Sequence, residues 1–225
     1  MDISNEDYLQ SLIECIRKLD YINPDEIPNI DLYMDQVTTF MDEHLKASKR
    51  RSEDKLLTKT MINNYTKNEL LPPPNKKKYS KEHILLLIFI YYFKNILTIS
   101  DIQQIFNPLT EKYYGKDAEI GLEEIYKEVF SYEQDQMENM LKDVVRKFNK
   151  SRETFPNVVS EEEREFLNNF SFICMLSFEV YVKKQMIEKL IDEFIEDHTS
   201  KNKKESKKEK KKEKEKDKDK ESVQV

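Results

Sequence analysis

Polar residues suited to contacting a nucleic acid are concentrated between residues 59 and 79. At helical spacing, five of them fall on one face of a predicted helix; they are Lys59, Thr60, Asn63, Asn64 and Lys67. Asparagine can offer a paired donor and acceptor to adenine, while lysine and threonine contact phosphates or base edges. The simpler interpretation is a solvated helix face, because polar faces are common on surface helices.

The residues after this helix predict a basic wing. Pro72, Pro73 and Pro74 favour a stiff extended segment, since proline lacks an N–H and restricts the residue before it. We expect the chain to turn at Asn75 and to present Lys76, Lys77 and Lys78 there, followed by Tyr79. A basic surface loop without a function is the alternative. The predicted DNA-binding set is therefore Lys59, Thr60, Asn63, Asn64, Lys67, Lys76, Lys77, Lys78 and Tyr79.

Positive charge is concentrated in this part of an otherwise acidic chain. Residues 46–94 hold 12 Lys and Arg against 4 Asp and Glu. Residues 1–45 hold 2 against 11, and residues 95–200 hold 12 against 22. The net charge of the 225 residues is −6, but local charge sets the field that attracts a polyanion. The basic segment carries the functional hypothesis.

Other chemistry has little support in the sequence. His44, His83 and His198 lie on separate predicted elements, and Cys15 and Cys174 have no metal-type spacing. With two glycines in the chain, a glycine-rich phosphate loop is excluded. We therefore expect no enzyme activity, no metal and no cofactor, and we expect His83 to be a packed or capping residue.

Apolar residues recur at spacings of three and four, which predicts an all-α fold. The predicted helices and their limits are about Glu6–Asp20; Asp31 as N-cap to Leu45; Thr58 as N-cap to Asn68; Lys81–Lys94; Thr98 or Ser100 to a stop at Asn107-Pro108; Leu122–Phe130; Glu133–Phe148; and Ser160 to Asp197. The apolar run Ile84–Phe93 is too short to span a bilayer, for which about 20 residues are needed. Lone cysteines and no evident leader favour the cytoplasm.

The C-terminal part predicts a long helix and a polar tail. Ser160 and the three glutamates after it form a capping box. Residues 166–182 are apolar on all sides, so they pack in an intramolecular bundle or in a homodimer through residues 160–197; symmetric DNA sites favour the dimer. The Lys/Glu run after residue 200 has nothing to bury, so we expect disorder or a transient helix with i,i+4 pairs.

These patterns divide the chain into four predicted parts. They are an N-terminal helix and linker (1–28), a helix-turn-helix domain (29–109), a C-terminal helical region for an effector or for dimerisation (110–199), and the tail (200–225).

The basic segment resembles a known DNA-binding pattern. TMINNYTKNELLPPPNKKKYSKEHI resembles the MerR type, in which a helix with an aromatic residue is followed by a Gly-Leu-Leu-Pro-like turn, a basic wing ending in tyrosine, and a helix of Leu and Ile. ILTISDIQQIF resembles the helix that completes such a domain. The chain departs from the pattern at Asn68-Glu69, where glycine would ease the turn, and at Lys46–Lys55, which is longer than the usual tight turn.

A second resemblance covers more of the chain. IPNIDLYMDQVTTFMDEHL, LLTKTMINNYTKNELLPPPNKKKYSKEHILLLIFIYYFKNILTISDIQQIF and VYVKKQMIEKLIDEF are together similar to the bacterial domain-of-unknown-function family DUF1836, over most of residues 25–195. This resemblance implies a helical, DNA-binding cytoplasmic protein without an established activity.

The sequence thus predicts a DNA-binding transcriptional regulator with a MerR-like winged helix-turn-helix and a C-terminal helical bundle. The helix from Thr58 to Asn68 would enter the major groove of double-stranded DNA, and Lys76–Lys78 would neutralise phosphates. The alternative is a non-enzymatic, all-helical module for protein–protein interaction, whose basic segment docks an acidic partner.

Overall fold

The computed structural model describes residues 5–18, 21–115 and 119–221. Helices dominate this part, so the predicted all-α class is confirmed. The elements are α1 (Asn5–Arg17), β1 (Leu32–Tyr33), α2 (Met34–His44), α3 (Lys59–Lys67), β2 (Lys78–Tyr79), α4 (Lys81–Phe93), α5 (Ile99–Tyr113), α6 (Leu122–Arg152) and α7 (Glu161–Glu221), with one-turn 3-10 helices at Pro24–Glu26 and Lys46–Ser48. Two compact units divide the chain, Met1–Val182 and Lys183–Val225.

The centre of the first unit is α4. Its residues are apolar on every side, so the helix is stable only if other elements surround it. All nine residues from His83 to Tyr91 are buried. The Phe89 ring lies 6.5 Å from Phe106 of α5 and 5.3 Å from Tyr126 of α6. The prediction of a buried helix is confirmed, and none of the described helices is long and apolar enough to cross a membrane.

Two short antiparallel strands join the start of α2 to the start of α4. Leu32 pairs with Tyr79 and Tyr33 pairs with Lys78. This pairing keeps the chain extended through Tyr33, which becomes the N-cap of α2, and the Tyr33 N–H donates to Gln36 Oε1 at 2.8 Å. The predicted N-cap at Asp31 is therefore wrong, because strand pairing delays the helix start.

The predicted stop of α5 at Asn107-Pro108 is also wrong. The N-cap of α5 is Thr98, one of the two residues (Thr98 or Ser100) that the sequence predicted for this position. The helix continues through Pro108 to Tyr113. A proline inside a helix removes one backbone hydrogen bond. Two contacts beyond it hold the far end of α5: Tyr114 Oη lies 2.9 Å from His83 Nε2, and the Gly115 N–H donates to a Glu82 carboxylate oxygen at 3.0 Å.

α6 is one helix where the sequence predicted two. No glycine or proline interrupts residues 122–152, and the hydroxyl of Ser131, at the predicted break, donates to Glu128 O at 2.8 Å. The C-terminal half of α6 forms a second cluster, in which Val144 and Phe148 are buried together with Phe172 of α7. Leu9, Leu12, Ile16 and Leu176 pack against this cluster.

α7 begins as predicted and ends later. The Glu163 N–H donates to Ser160 Oγ at 3.3 Å, which confirms the N-terminal cap. The helix extends to Glu221, so the predicted end near Asp197 is wrong. Ion pairs at i,i+4 spacing, such as Lys184 with Glu188, stabilise this helix before the tail. The backbone of the tail is helical up to Glu221, and residues 222–225 lie outside the described residues.

Candidate nucleic-acid interface

α3 is held by a local cap and by two inward side chains. Thr58 Oγ1 accepts the Met61 N–H at 3.2 Å, as the sequence predicts for an N-cap. Ile62 and Tyr65 are buried one turn apart, and the helix contacts α2. This packing fixes which face of α3 points away from the core.

The opposite face of α3 carries the predicted contact residues. All five are exposed: Lys59, Thr60, Asn63, Asn64 and Lys67. Within the described part of the chain, no side chain of this set makes a hydrogen bond or ion pair except Lys59, which pairs with Asp35 of α2. The amides of Asn63 and Asn64 therefore keep their donors and acceptors for a ligand or for water.

A tight turn ends α3 without the glycine that usually occupies it. The Glu69 N–H donates to Thr66 O at 3.2 Å and the Leu70 N–H to Tyr65 O at 2.9 Å, which is the bond pattern of a Schellman motif. Glu69 takes the left-handed position, with φ +59°. From α5, Gln103 Nε2 donates to Asn68 O at 3.0 Å and braces the turn.

The segment predicted to form the wing is a minimal β-hairpin, in which a two-residue turn is closed by the single bridge between Asn75 and Lys78. The Lys78 N–H donates to Asn75 O at 2.9 Å across the turn. Lys76 and Lys77 form its tip, with φ +48° and +66°. Positive φ at both central residues defines a type I′ turn, which normally carries Asn-Gly. Two lysines in this position project their exposed ammonium groups beyond the hairpin.

Lys78 and Tyr79 differ from the two lysines at the tip. Lys78 is half-buried, and its Nζ lies 5.2 Å from the centre of the Tyr33 ring. Tyr79 is only 3% exposed, and its ring meets His83 edge-on at 5.4 Å. Burial therefore removes Tyr79 from the set of side chains that can contact a ligand. Its role is to anchor the hairpin on the core.

His83 ties the hairpin to the centre of the fold. It is 2% exposed, and its Nδ1 accepts the Ser80 N–H at 3.0 Å. Nδ1 must be unprotonated to accept this bond, so Nε2 carries the hydrogen and faces Tyr114 Oη. Burial lowers the pKa of His83, against an opposing effect of the Pro72 and Pro73 carbonyls. A packed, capping role for His83 is confirmed.

The basic segment differs from the rest of the protein in how its charges are paired. Of its 12 cations, Lys49, Lys59 and Lys81 form ion pairs, and the other nine have none with any described residue. Seven of those nine are exposed: Lys46, Arg50, Arg51, Lys55, Lys67, Lys76 and Lys77. By contrast, all four cations between Lys142 and Lys150 of α6 pair with carboxylates. The segment therefore carries a largely uncompensated positive field.

The contact residues predicted from the sequence do not include any from the connection between α2 and α3. The structure fixes both of its ends: Ser48 Oγ lies 2.5 Å from Tyr91 Oη, and Lys94 Nζ donates to Leu56 O at 2.6 Å. Between these anchors, Arg50 and Arg51 are exposed. The basic run KASKRR is the sequence signal that could have indicated them.

Part of the chain matches a known family. Residues 22–129 match the model of a family described as a domain of unknown function, DUF1836. The match covers 108 of the 225 residues, and the chain is similar to this family over that part. The DUF1836 match contains α2 to α5 and the start of α6, and it stops well before residue 195, where the sequence resemblance was expected to end. No curated protein and no solved structure matches the chain.

Proposed function

We propose that this protein is a DNA-binding transcriptional regulator of the cytoplasm. In this proposal α3 enters the major groove of double-stranded DNA, and the lysines of the hairpin neutralise phosphates beside it. The observation that carries the proposal is the exposed, unpaired positive charge in the segments directly before and after α3, whose polar face makes almost no internal bonds.

The dimensions of α3 suit a groove. Nine residues give a helix about 14 Å long, and a B-DNA major groove about 12 Å wide admits one helix. Asn63 and Asn64 would contact base edges, while Thr60 and Lys67 would meet bases or the flanking backbone. Lys59 would contact DNA either after breaking its ion pair with Asp35 or as part of that ion pair, whose net charge is zero.

The hairpin supports the proposal through its geometry. Lys76 and Lys77 occupy left-handed positions that cost a lysine free energy. Backbone strain of this kind persists where the surrounding structure imposes it, and it concentrates at functional positions. Here the pairing of Tyr33 with Lys78 and the buried ring of Tyr79 impose it. The likeness to a MerR-type winged helix-turn-helix belongs to this proposal, with a longer connection between α2 and α3.

The acidic remainder of the chain restricts how DNA can approach. Residues 1–45 and 95–200 repel a polyanion, since acidic residues outnumber basic ones in both. Among residues 1–200, attraction is confined to the basic segment, and the Lys-rich residues 201–225, with 12 Lys against 7 Asp and Glu, add a second, weaker attraction. Tight binding would then depend strongly on salt.

A salt titration with matched charge reversals tests the proposal. A duplex selected from a random pool is titrated with the wild type, with K76E/K77E and with the control R17E/K18E. Arg17 and Lys18 are also adjacent, exposed and without an ion pair to any described residue. We expect the plot of log affinity against log salt to be shallower by at least about 1.8 in K76E/K77E, because each phosphate contact contributes about 0.9. The control should keep the wild-type slope.

Two results would end the DNA hypothesis. One is a random pool from which no duplex is enriched at low salt. The other is equal loss of binding in both variants, which would show a response to overall charge only. Either result would favour the alternative, an all-helical module that docks an acidic protein on the basic segment.

A further inference from the structure

α7 carries an apolar face that the described part of the first unit leaves uncovered. Its large side chains are Phe166, Phe170, Ile173, Phe178, Val180 and Tyr181. Phe166 and Phe178 are 68% and 69% exposed, and Ile173 is 59% exposed. A soluble monomer rarely exposes so many large apolar residues together.

This face is distinct from the side of α7 that joins the core. On that other side, Phe172 is 4% exposed and stacks edge-on with Phe148 at 5.4 Å. Asn168, one turn before Phe172, is also buried. The intramolecular contact predicted from sequence thus accounts for one side of the helix and leaves the other side without a partner.

We propose that the apolar face of α7 is a self-association surface, covered by the same face of a second copy of this chain. Its exposed area supports this occupant. Phe178 is left out of the area, because it lies about 100° around the helix from Ser177. With about 200 Å² for a fully exposed large residue, the other five side chains present roughly 600 Å² per copy. Two copies would bury about 1,200 Å², at the lower end of the range of about 1,200–2,000 Å² for stable protein interfaces.

Charge also favours a second copy over other partners. Between Phe166 and Val182 the only charged residue is Glu179, which pairs with Lys147 of α6. A charged partner would find nothing to pair with, while two identical faces meet without repulsion.

The spacing of the face suits a helix of the same sequence. Phe166, Phe170, Ile173, Ser177 and Val180 follow one another at intervals of four, three, four and three. This is the repeat with which two helices pack side by side along their length. The small Ser177 in the middle of the repeat lets the two helices approach closely. Self-association does not depend on DNA binding, so each proposal can fail alone.

The mass of the full chain in solution is the first test. We expect a dimer in sedimentation at about 10 µM and a monomer for I173E, because a buried charge without a partner is costly. The control V129E places the same charge on an exposed aliphatic position of α6, and it should remain dimeric. Circular dichroism verifies that the helices are kept. A wild type that stays monomeric up to about 100 µM, or an I173E variant that stays dimeric, overturns the proposal.

The two native cysteines give a second test that needs no substitution. Cys174 lies within the apolar face and Cys15 lies on α1, and both are exposed in the single chain. In a dimer through α7, a maleimide should modify Cys174 at least about tenfold more slowly than Cys15, and dilution should abolish the difference. Equal rates at a concentration where the mass is dimeric would show that another surface associates.

Discussion

Replacing Lys76 with asparagine and Lys77 with glycine should stabilise the protein and weaken its binding to DNA. The two lysines occupy the centre of a type I′ turn with φ +48° and +66°. Asparagine and glycine are the residues that adopt these angles most easily. The exchange removes two positive charges from the tip and leaves the strands beside it unchanged.

The magnitudes follow from the turn geometry. A left-handed conformation costs an ordinary residue about 1–2 kcal/mol, and the greater freedom of glycine in the unfolded chain returns part of this gain. We expect a net gain of about 1–2 kcal/mol in the free energy of unfolding. In a chain of this size that corresponds to a rise of about 4 °C in Tm. The loss of two phosphate contacts should weaken DNA binding roughly 50-fold at 0.1 M salt.

The control K76Q/K77Q separates the two effects. It removes both charges and keeps two residues for which the left-handed conformation is unfavourable, so this variant should lose DNA affinity without gaining stability. Thermal unfolding and DNA titration of the wild type and both variants are the measurements. If K76N/K77G is no more stable than K76Q/K77Q, the argument from turn strain fails. If it binds DNA as tightly as the wild type, the hairpin does not contact phosphates.

Two further predictions concern the core. Because burial lowers the pKa of His83 below its ordinary 6.5, the unfolded chain takes up the proton first as pH falls; stability is complete above about pH 6.5 and decreases below it. H83Q keeps an acceptor for the Ser80 N–H and should flatten this dependence in unfolding curves between about pH 5 and 8, whereas an unchanged slope would assign the effect to other groups. The buried Tyr126 hydroxyl donates to Ile22 O at 2.7 Å, so Y126F should lower the free energy of unfolding by about 1–3 kcal/mol; a loss below about 0.5 kcal/mol would mean that water replaces the hydroxyl.

Local signals account for the elements that the sequence predicted well. α3 has a capping threonine, Thr58, directly before it and an apolar stripe within its nine residues, and its end is formed by the turn that follows directly. Ser80 and His83 likewise form the cap of α4 between neighbours in the sequence. Where the physics is local, the sequence is sufficient to place the element and its exposed face.

The errors arose where a distant partner decides the local conformation. α5 continues through Pro108 because Tyr114 contacts His83. The residues next to Tyr114 and His83 in the sequence give no sign of this contact. The start of α2 depends on the pairing of Tyr33 with Lys78. The left-handed Glu69 and the lysine turn also lack the glycines that would mark them in a sequence. The candidate residues on α3 could be chosen from the sequence, but the burial of Tyr79 and the pairing of Lys59 with Asp35 could not.

The way α6 closes over α4 determines what piece of the chain can fold alone. Phe89 of α4 lies against both Tyr126 and Phe130 of α6, and the Tyr126 hydroxyl reaches back to Ile22, ahead of every element of the basic segment. A fragment cut at residue 109 would leave this aromatic side of α4 in water and would tend to aggregate. The elements proposed to contact DNA are thus not an autonomous module: they depend on the packing of α4 against α6, and a stable fragment must begin before Ile22 and extend beyond Phe130.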